Sequence, residues 1–265
     1  MSGAAAGAVL TGTDDKPMIR HLSKDEVNEK YKSGLEDIDS TIENYKMSLT
    51  KKGIPECKWL RDTLARYKAK MIEQLGYDLD VASGHIKEST NKPAYSSPED
   101  FIDFNRLAYE FRSYCLSGTN PNYNSVKEYK LNCQRCVPAC EARRRGQEVI
   151  AKPSTYENLY LNYHPYDVWE NADIVSTTGN GLDTISEKMS EWGDGARAQV
   201  VVYWDIPLGG GHTFLAEQIN GKTVFTDPQN GDEEVTKYFN RVKTGRTTFC
   251  RIDNLDFSPY SEECF

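Results

Sequence analysis

The sequence has no apolar run long enough to cross a lipid bilayer. A membrane-spanning helix needs about 18 or more consecutive apolar residues, and the 265 residues contain no such run. The amino-terminal stretch MSGAAAGAVLTGTDD lacks a basic start and an adequate apolar segment, so we do not expect a secretory signal. We expect residues 1–22 to form a disordered tail, and we expect no membrane partner.

An excess of basic residues is also missing. The chain has 32 lysines and arginines against 40 aspartates and glutamates, which gives a formal net charge of −8. Because nucleic-acid-binding proteins usually carry a strong basic excess, this balance argues against a nucleic-acid partner. The consecutive arginines 143–145 fit the last turn of a helix, where the helix dipole favours cations.

A regular disulfide framework is absent as well. The cysteine count of seven is odd, and a chain of 265 residues does not need disulfides for stability. We therefore expect reduced thiols in a cytoplasm-like compartment. Cys133, Cys136 and Cys140 have a spacing that could bind a metal, but no fourth ligand follows at zinc-finger spacing. A further alternative is that all three are small buried side chains.

Two amphipathic patterns begin the part of the chain that we expect to fold. Residues 23–51 carry apolar residues every three or four positions, which predicts a helix, and Ser23 with Glu26 forms a capping box at its start. A second pattern runs from about 56 to 75 and ends before Gly76. We expect a helical hairpin over 23–83 that serves packing, docking or oligomerisation, and a polar linker over 84–97.

Helical patterns precede most strand patterns in residues 98–265. Helices are predicted at 98–115, from about 133 to 145, and at 181–192. Strands are predicted at 149–153, 196–206, 212–219, 222–227 and 247–253, with an irregular segment at 153–180. This order is typical of an α+β domain with a mostly antiparallel sheet.

A β-hairpin is predicted around Asn220-Gly221. An Asn-Gly pair between two strand patterns is the strongest short-range hairpin signal, because a type I′ turn needs positive φ at both central residues. If these residues form the turn, Ile219 pairs with Lys222. Continuing the same register predicts that position 214 faces 227 and that position 212 faces 229.

This register brings a histidine and a carboxylate together. His212, Phe214, Asp227 and Gln229 would project from one face of the hairpin. His212 and Asp227 would be diagonal neighbours with backbones roughly 7 Å apart, close enough for an imidazole–carboxylate hydrogen bond. The glycines before His212 would let a backbone or a substrate approach closely. Such a pair can serve a nucleophile, although an ordinary surface histidine and aspartate remain the alternative.

A cysteine at the start of a helix could supply the nucleophile. The stretch YKLNCQRCVPACEARRRG predicts a helix that begins after Asn132, and a helix N-terminus favours a thiolate. Pro138 is tolerable only within the first helical turn, which places the helix start near 133–137. Cys133 or Cys136 would therefore lie at the activated end, whereas Cys140 would lie a turn further on, in the core.

The remaining histidines are weaker candidates. His21 lies in the expected tail and His85 in the expected linker, while His164 lies in a tyrosine-rich segment that could line a substrate cleft. We expect the side chain of Trp204 to lie in the core.

Three stretches, NCQRCVPACEARRRG, DGARAQVVVYW and GGGHTFLAEQINGKTVFTDPQNG, together resemble the papain-fold toxin family, whose members are proposed glutamine deamidases. The family has N-C at a helix start, G-H on a strand and D-P-Q on the next strand, and all three motifs occur here in that order. The residues around N-C and R-R-R-G also resemble domains at the ends of Mu-type phage head-morphogenesis proteins. The resemblance covers roughly residues 100–255.

The resemblance implies a papain-like domain over 98–265, with the cysteine on its N-terminal helix and the histidine and aspartate on an antiparallel sheet. By motif, Cys133 matches the nucleophile, His212 the base and Asp227 the orienting carboxylate. Two supporting residues, Asn132 and Gln229, adjoin them.

The predicted helix differs from the sequence of the phage-type domains at Pro138 and Cys140. This departure leaves the helix start open, and with it the choice between Cys133 and Cys136 as the nucleophile.

The implied activity is a cysteine amidohydrolase that deamidates glutamine side chains of a target protein through a thioester, without a metal or cofactor. The same three residues could instead cleave a peptide or isopeptide bond, because only the leaving amine differs. A structural alternative is a phage virion or head component that docks through 23–83 and carries a passenger or inactive papain-like domain. The chain could also be a toxin or effector delivered into a host cell.

Overall fold

Six α-helices and a five-stranded sheet make up most of the regular structure among the described residues. The computed structural model describes residues 20–85, 102–207 and 209–265. The helices are α1 (Lys24–Lys51), α2 (Lys58–Ala82), α3 (Phe104–Ser117), α4 (Cys133–Arg144), α5 (Tyr160–Tyr163) and α6 (Leu182–Trp192). The strands are β1 (Val175–Ser176), β2 (Arg197–Tyr203), β3 (Gly211–Ile219), β4 (Lys222–Thr226) and β5 (Thr248–Arg251).

The first two helices form the expected hairpin. The Ser23 hydroxyl accepts the backbone N–H of Glu26, and the Glu26 carboxylate accepts that of Ser23, which confirms the capping box. The predicted end of α2 before Gly76 is wrong, because the helix continues to Ala82. A glycine inside a helix costs about 1 kcal/mol, whereas burial of the Leu79 side chain in the added turn stabilises by roughly 1.5–3 kcal/mol.

Helix α3 begins later than predicted. Residues 102 and 103 are not helical, and the Asp103 carboxylate accepts the backbone N–H groups of Asn105 and Arg106 at 2.9 and 3.0 Å as the N-cap. The predicted start at Pro98 and most of the expected linker lie outside the described residues, as do residues 1–19 of the expected tail.

One apolar cluster joins the helical hairpin to α3. Its buried members are Leu49, Ile54, Cys57, Leu60, Leu64, Leu107, Phe111 and Cys115. At this end of the hairpin, the apolar stripe that we expected to serve docking therefore packs within the same chain. The division into a docking hairpin at 23–83 and a papain-like domain at 98–265 stays a prediction.

The five strands form one antiparallel sheet in the order β1-β5-β2-β3-β4. The central strand β2 is buried on both faces. Val200 and Phe214 pack on the face covered by α6, whereas Val201 and Leu215 pack on the face covered by α4. The predicted α+β class is confirmed. Among the described residues, no helix is both long enough and apolar enough to span a membrane.

Two local predictions within this domain are wrong. Residues 149–153 form no strand, because the N–H of Ala151 bonds to Thr119 and that of Lys152 bonds to Cys264, which are separate segments. Pro138 lies in the interior of α4 rather than in its first turn. The missing N–H is tolerated because almost all of α4 is buried, so tertiary packing holds the helix.

Candidate active site

A cleft of about 1010 Å³ opens where α4 begins, where β3 begins and where the chain leaves β4. The residues in its wall include Cys133, His212, Asp227 and Gln229, which come from three separate stretches of the sequence. The cleft is large enough to admit a peptide side chain together with its flanking backbone.

The imidazole of His212 contacts the carboxylate of Asp227 in the wall of this cleft. His212 Nε2 lies 2.8 Å from Asp227 Oδ2, and the two side chains are 10% and 2% exposed. Asp227 Oδ2 also accepts a hydrogen bond from the Tyr238 hydroxyl at 3.0 Å, and Asp227 Oδ1 accepts the backbone N–H of Gln229 at 2.9 Å. The carboxylate is therefore held on both oxygens, and it can fix the orientation of the imidazole.

The hairpin register that predicted this contact is correct only as far as Leu215 and Thr226. Ile219 pairs with Lys222 as expected, but β4 ends at Thr226 and the N–H of Asp227 bonds to the carbonyl of Asp232 instead. The predicted pairing of position 212 with 229 is wrong because the proline at 228 has no N–H to continue the ladder. The turn that follows keeps the carboxylate next to the imidazole.

Both turn positions have the expected backbone. Asn220 and Gly221 have φ values of 49° and 74°, as a type I′ turn requires. At the other end of β3, Gly209 and Gly210 also have positive φ, and the Gly210 carbonyl accepts the N–H of Trp204 in a tight connection. The positive φ values favour glycine at both positions. This is a second reason for these glycines, besides the close approach of a backbone or a substrate that the sequence predicts.

Cys133 is the first residue of α4, and its side chain lies in the cleft wall. Its thiol donates to Gln134 Oε1 at 3.4 Å, and its sulfur interacts electrostatically with the ring of His212. Because Nε2 of His212 binds Asp227, Nδ1 is the ring nitrogen left for the sulfur. The backbone N–H of Cys133 has no acceptor within the helix, since it opens the first turn.

The charges in this group favour a protonated imidazole. Burial disfavours the imidazolium, but the Cys133 sulfur and the hydrogen bond that the imidazole donates to Asp227 outweigh it and raise the pKa of His212 to about 10. An imidazolium next to a sulfur stabilises a thiolate. The imidazole of His212 therefore lies between the sulfur of Cys133 and the carboxylate of Asp227.

The two neighbouring cysteines of α4 lie outside the cleft wall. Cys136 is fully buried with Ala139 and Ala151, and burial raises its pKa well above the usual range of a thiol. Cys140 is buried on the face of the sheet that α4 covers, and burial raises its pKa to about 11. Both side chains behave as core residues, as we expected for Cys140.

Two aromatic residues that sequence reasoning did not assign to the site enclose the imidazole. The Trp204 ring stacks on His212 with centroids 5.7 Å apart, and the Tyr238 ring meets His212 edge-on at 5.8 Å. Trp204 was expected in the core, but it is half-buried and lines the cleft. No motif marks Tyr238, and only the fold brings the 3-10 segment Thr236–Arg241 next to His212.

A second residue group links the start of α4 to the turn after β4. The Asn120 side-chain amide donates to the carbonyls of Tyr129 and Gln229 at 2.9 and 2.8 Å and lies 3.3 Å from Asn132 Oδ1. The Gln229 amide donates to the same Asn132 oxygen at 3.4 Å. Asn132 itself makes no helix-capping bond, and its amide donates to the Lys152 carbonyl. Asn120 is thus a site residue that sequence reasoning missed, since it lies in an ordinary turn-rich stretch.

Ion pairs clamp α4 to the sheet. Arg144 forms two bonds of 2.7 Å to the Glu217 carboxylate on β3. The buried Glu141 carboxylate accepts from Arg145 at 2.8 Å and from Arg197 on β2 at 2.6 Å. The arginines therefore do more than complement the helix dipole, because they fix the cysteine helix relative to the strand that carries the histidine.

Among the described residues, the other histidines do not line the cleft. His164 is exposed and stacks on Tyr160 with centroids 4.5 Å apart, whereas its neighbours Tyr163 and Pro165 line the cleft. His21 and His85 lie at the end of the helical hairpin, where Leu22 bonds to the end of α2.

Comparison with known families matches residues 131–232 to the family described as papain fold toxin 1, glutamine deamidase. This segment contains all three sequence motifs, so the resemblance to the papain-fold toxin family is confirmed over these residues. The description does not mention phage proteins, and the likeness to phage domains stays a prediction. Comparison with curated proteins and with solved structures found no significant match.

Proposed function

We propose that the chain deamidates glutamine side chains of a target protein, on the premise that residues 131–232 match the family described as papain fold toxin 1, glutamine deamidase. At family level the match supports a cysteine-dependent deamidase. The observation that carries the proposal is the meeting of three chemically suited side chains in one cleft. The Asp227–His212 contact is 2.8 Å, and the Cys133 sulfur interacts with the same imidazole.

In the first half of the reaction, the Cys133 thiolate attacks the carbon of the glutamine carboxamide. A C–S bond forms, and the carbonyl oxygen takes up the negative charge next to the free backbone N–H of Cys133. His212 donates its proton to the departing nitrogen, so the C–N bond breaks and ammonia leaves. A thioester with the substrate remains on the enzyme.

In the second half, His212 acts as a general base on a water molecule. The water oxygen bonds to the thioester carbon, the C–S bond breaks, and the thiolate and imidazolium form again. The net change is glutamine and water to glutamate and ammonia. Asp227 keeps the imidazole oriented with Nε2 toward the carboxylate and Nδ1 toward the sulfur.

The geometry supports Cys133 over Cys136 as the nucleophile. The Cys133 side chain reaches the cleft, whereas Cys136 is fully buried and its raised pKa disfavours the thiolate. Asn132 and Gln229 support the site through their shared hydrogen bond, which joins the start of α4 to the turn after Asp227.

The test combines thiol reactivity with turnover. At about pH 6 an unperturbed thiol is almost wholly protonated, so only an activated cysteine should react rapidly with iodoacetamide. We expect rapid labelling mapped to Cys133 in the wild type and slow labelling in His212→Ala. With casein as a glutamine-containing protein, we expect ammonia release and glutamate at former glutamine positions.

Two cysteine variants provide a matched comparison. Cys133→Ala should abolish ammonia release, whereas Cys136→Ala should retain it, since that side chain only packs. Full activity of Cys133→Ala would contradict the proposed nucleophile. New amino termini without ammonia would replace deamidation by peptide cleavage as the reaction.

A further inference from the structure

The cleft has a rim of charged side chains that the proposed chemistry does not use. Lys127, Lys130 and Arg241 line it and are exposed. Among the lining residues that the structure describes, Glu128 supplies the one exposed carboxylate, because Asp227 is buried. Three cations against one exposed carboxylate give this surface a positive balance, although the whole chain has a net charge of −8.

The three cations come from segments that hold the reactive groups. Lys127 and Lys130 are the ends of the 3-10 turn that leads into Cys133. Arg241 ends the 3-10 segment that places Tyr238 against the imidazole. Within 20–85, 102–207 and 209–265, none of the three has a carboxylate within salt-bridge distance. Their charge is therefore available to a bound molecule close to the nucleophile.

Exposed apolar side chains continue this rim. Tyr156, Tyr163 and Leu131 line the cleft and are 95%, 77% and 50% exposed. Large side chains at this exposure lose contact with the protein's own core, and grouped around a cleft they are typical of an interaction surface. Tyrosine is also enriched among the residues that dominate binding energy at protein interfaces.

We infer that the cleft selects a glutamine within a protein segment that carries an acidic residue beside the glutamine and an apolar side chain nearby. Lys127, Lys130 and Arg241 attract the acidic residue, and Tyr156 and Tyr163 hold the apolar one. This inference rests on the proposed function and adds the substrate class. A protein segment fits better than nucleic acid, because nucleic-acid interfaces are much more positively charged than three cations on an acidic protein.

The first experiment measures the local charge without requiring turnover. Two methanethiosulfonate reagents, one carrying a sulfonate and one a trimethylammonium group, are reacted with the full chain, and modification of Cys133 is mapped. For each thiol we take the ratio of the rate with the anionic reagent to the rate with the cationic reagent. We expect this ratio to be about tenfold higher for Cys133 than for free cysteine. High salt should abolish this preference, because the Debye length falls to about 3 Å at 1 M.

Charge-reversal variants show whether the rim causes the preference. The double variant Lys127→Glu/Lys130→Glu should lose or invert it. The control is Lys222→Glu, which makes one such charge reversal on an exposed residue at the hairpin turn, at the end of β3 opposite to His212. The control should keep the wild-type preference. An equal loss in the control, or no preference in the wild type, overturns the inference.

The second experiment compares peptides of identical length with leucine and glutamine at fixed positions and either glutamate or lysine on both sides of the glutamine. We expect kcat/KM for ammonia release to be about tenfold higher for the acidic peptide, and the double variant to reverse the order. Tyr163→Ala should raise KM for the acidic peptide with little change in kcat. Tyr31→Ala, an exposed tyrosine on α1, serves as its control.

The outcomes separate the recognition surface from the chemistry. Equal turnover of both peptides overturns the inference and leaves the deamidase proposal standing. No turnover of either peptide, together with charge-selective labelling and binding of the acidic peptide by Cys133→Ala, supports the surface and refutes deamidation. Tighter binding of a single-stranded oligonucleotide than of the acidic peptide would refute the choice of a protein segment.

Discussion

Replacing Asn120 with aspartate should both destabilise the protein and loosen the candidate site. The substitution keeps the side-chain size but removes the amide that donates to the carbonyls of Tyr129 and Gln229 at 2.9 and 2.8 Å. The side chain is 6% exposed, so water cannot readily replace these bonds. The oxygen that replaces Nδ2 would instead face two carbonyls and the Asn132 side-chain oxygen.

The expected magnitude follows from the groups left without a donor. A buried acceptor that loses its partner costs about 1–3 kcal/mol, so two carbonyls imply about 2–5 kcal/mol once non-additivity is allowed for. The free energy of unfolding of a domain is about 5–15 kcal/mol, so the variant stays largely folded unless the wild type lies at the low end of this range and the loss at the high end of its own. The start of α4 and the turn after Asp227 would then be less firmly joined, and alkylation of Cys133 should slow.

Urea unfolding followed by circular dichroism measures the stability change, and iodoacetamide labelling measures the site. The matched control is Asn124→Asp, which adds the same charge at an exposed position of the same turn-rich stretch. A change in unfolding free energy no larger than that of the control, with unchanged labelling of Cys133, would refute the linking role of Asn120.

Three further predictions concern charged and hydrogen-bonded groups of the site and of the α4 clamp. The pKa of His212 rises from about 6.5 unfolded to about 10 folded. The resulting stabilisation should be complete below about pH 6.5 and lost toward pH 10, measured as the unfolding free-energy difference between wild type and His212→Gln. Glu217→Gln should cost about 3–5 kcal/mol in urea unfolding, and Arg144→Met/Glu217→Leu should recover most of it. Tyr238→Phe removes a donor to Asp227 and should cost about 1.5–3 kcal/mol, with slower alkylation of the reactive cysteine at unchanged fold.

Several elements could be predicted from the sequence because short-range backbone chemistry decides them. The Asn220-Gly221 turn sets the first pairs of the hairpin, since few other residue pairs accept positive φ at both positions. The Ser23 capping box sets the start of α1 in the same way. Gly146, with a φ of 93°, lies just beyond the end of α4 as the sequence predicts.

Errors arose where burial or distant contacts override local preference. Gly76 does not end α2, because packing of the next turn outweighs the low helix propensity of glycine. Pro138 lies beyond the first turn of α4, and the helix tolerates it because almost all of its residues are buried. The hairpin ladder stops at Thr226, although alternation alone would continue it through the following proline.

For the candidate site, the sequence by itself determined the residue types, their order and the hairpin pairs up to Leu215 and Thr226, because the Asn220-Gly221 turn sets that register. The turn after β4 then completes the contact between Asp227 and His212. Only the tertiary structure decided that Cys133 rather than Cys136 shares the cleft with the imidazole, and that Asn120 and Tyr238 complete its surroundings. These residues meet through the packing of α4 and a 3-10 segment on the sheet. Such long-range contacts depend on the burial of many side chains together, which no local pattern specifies.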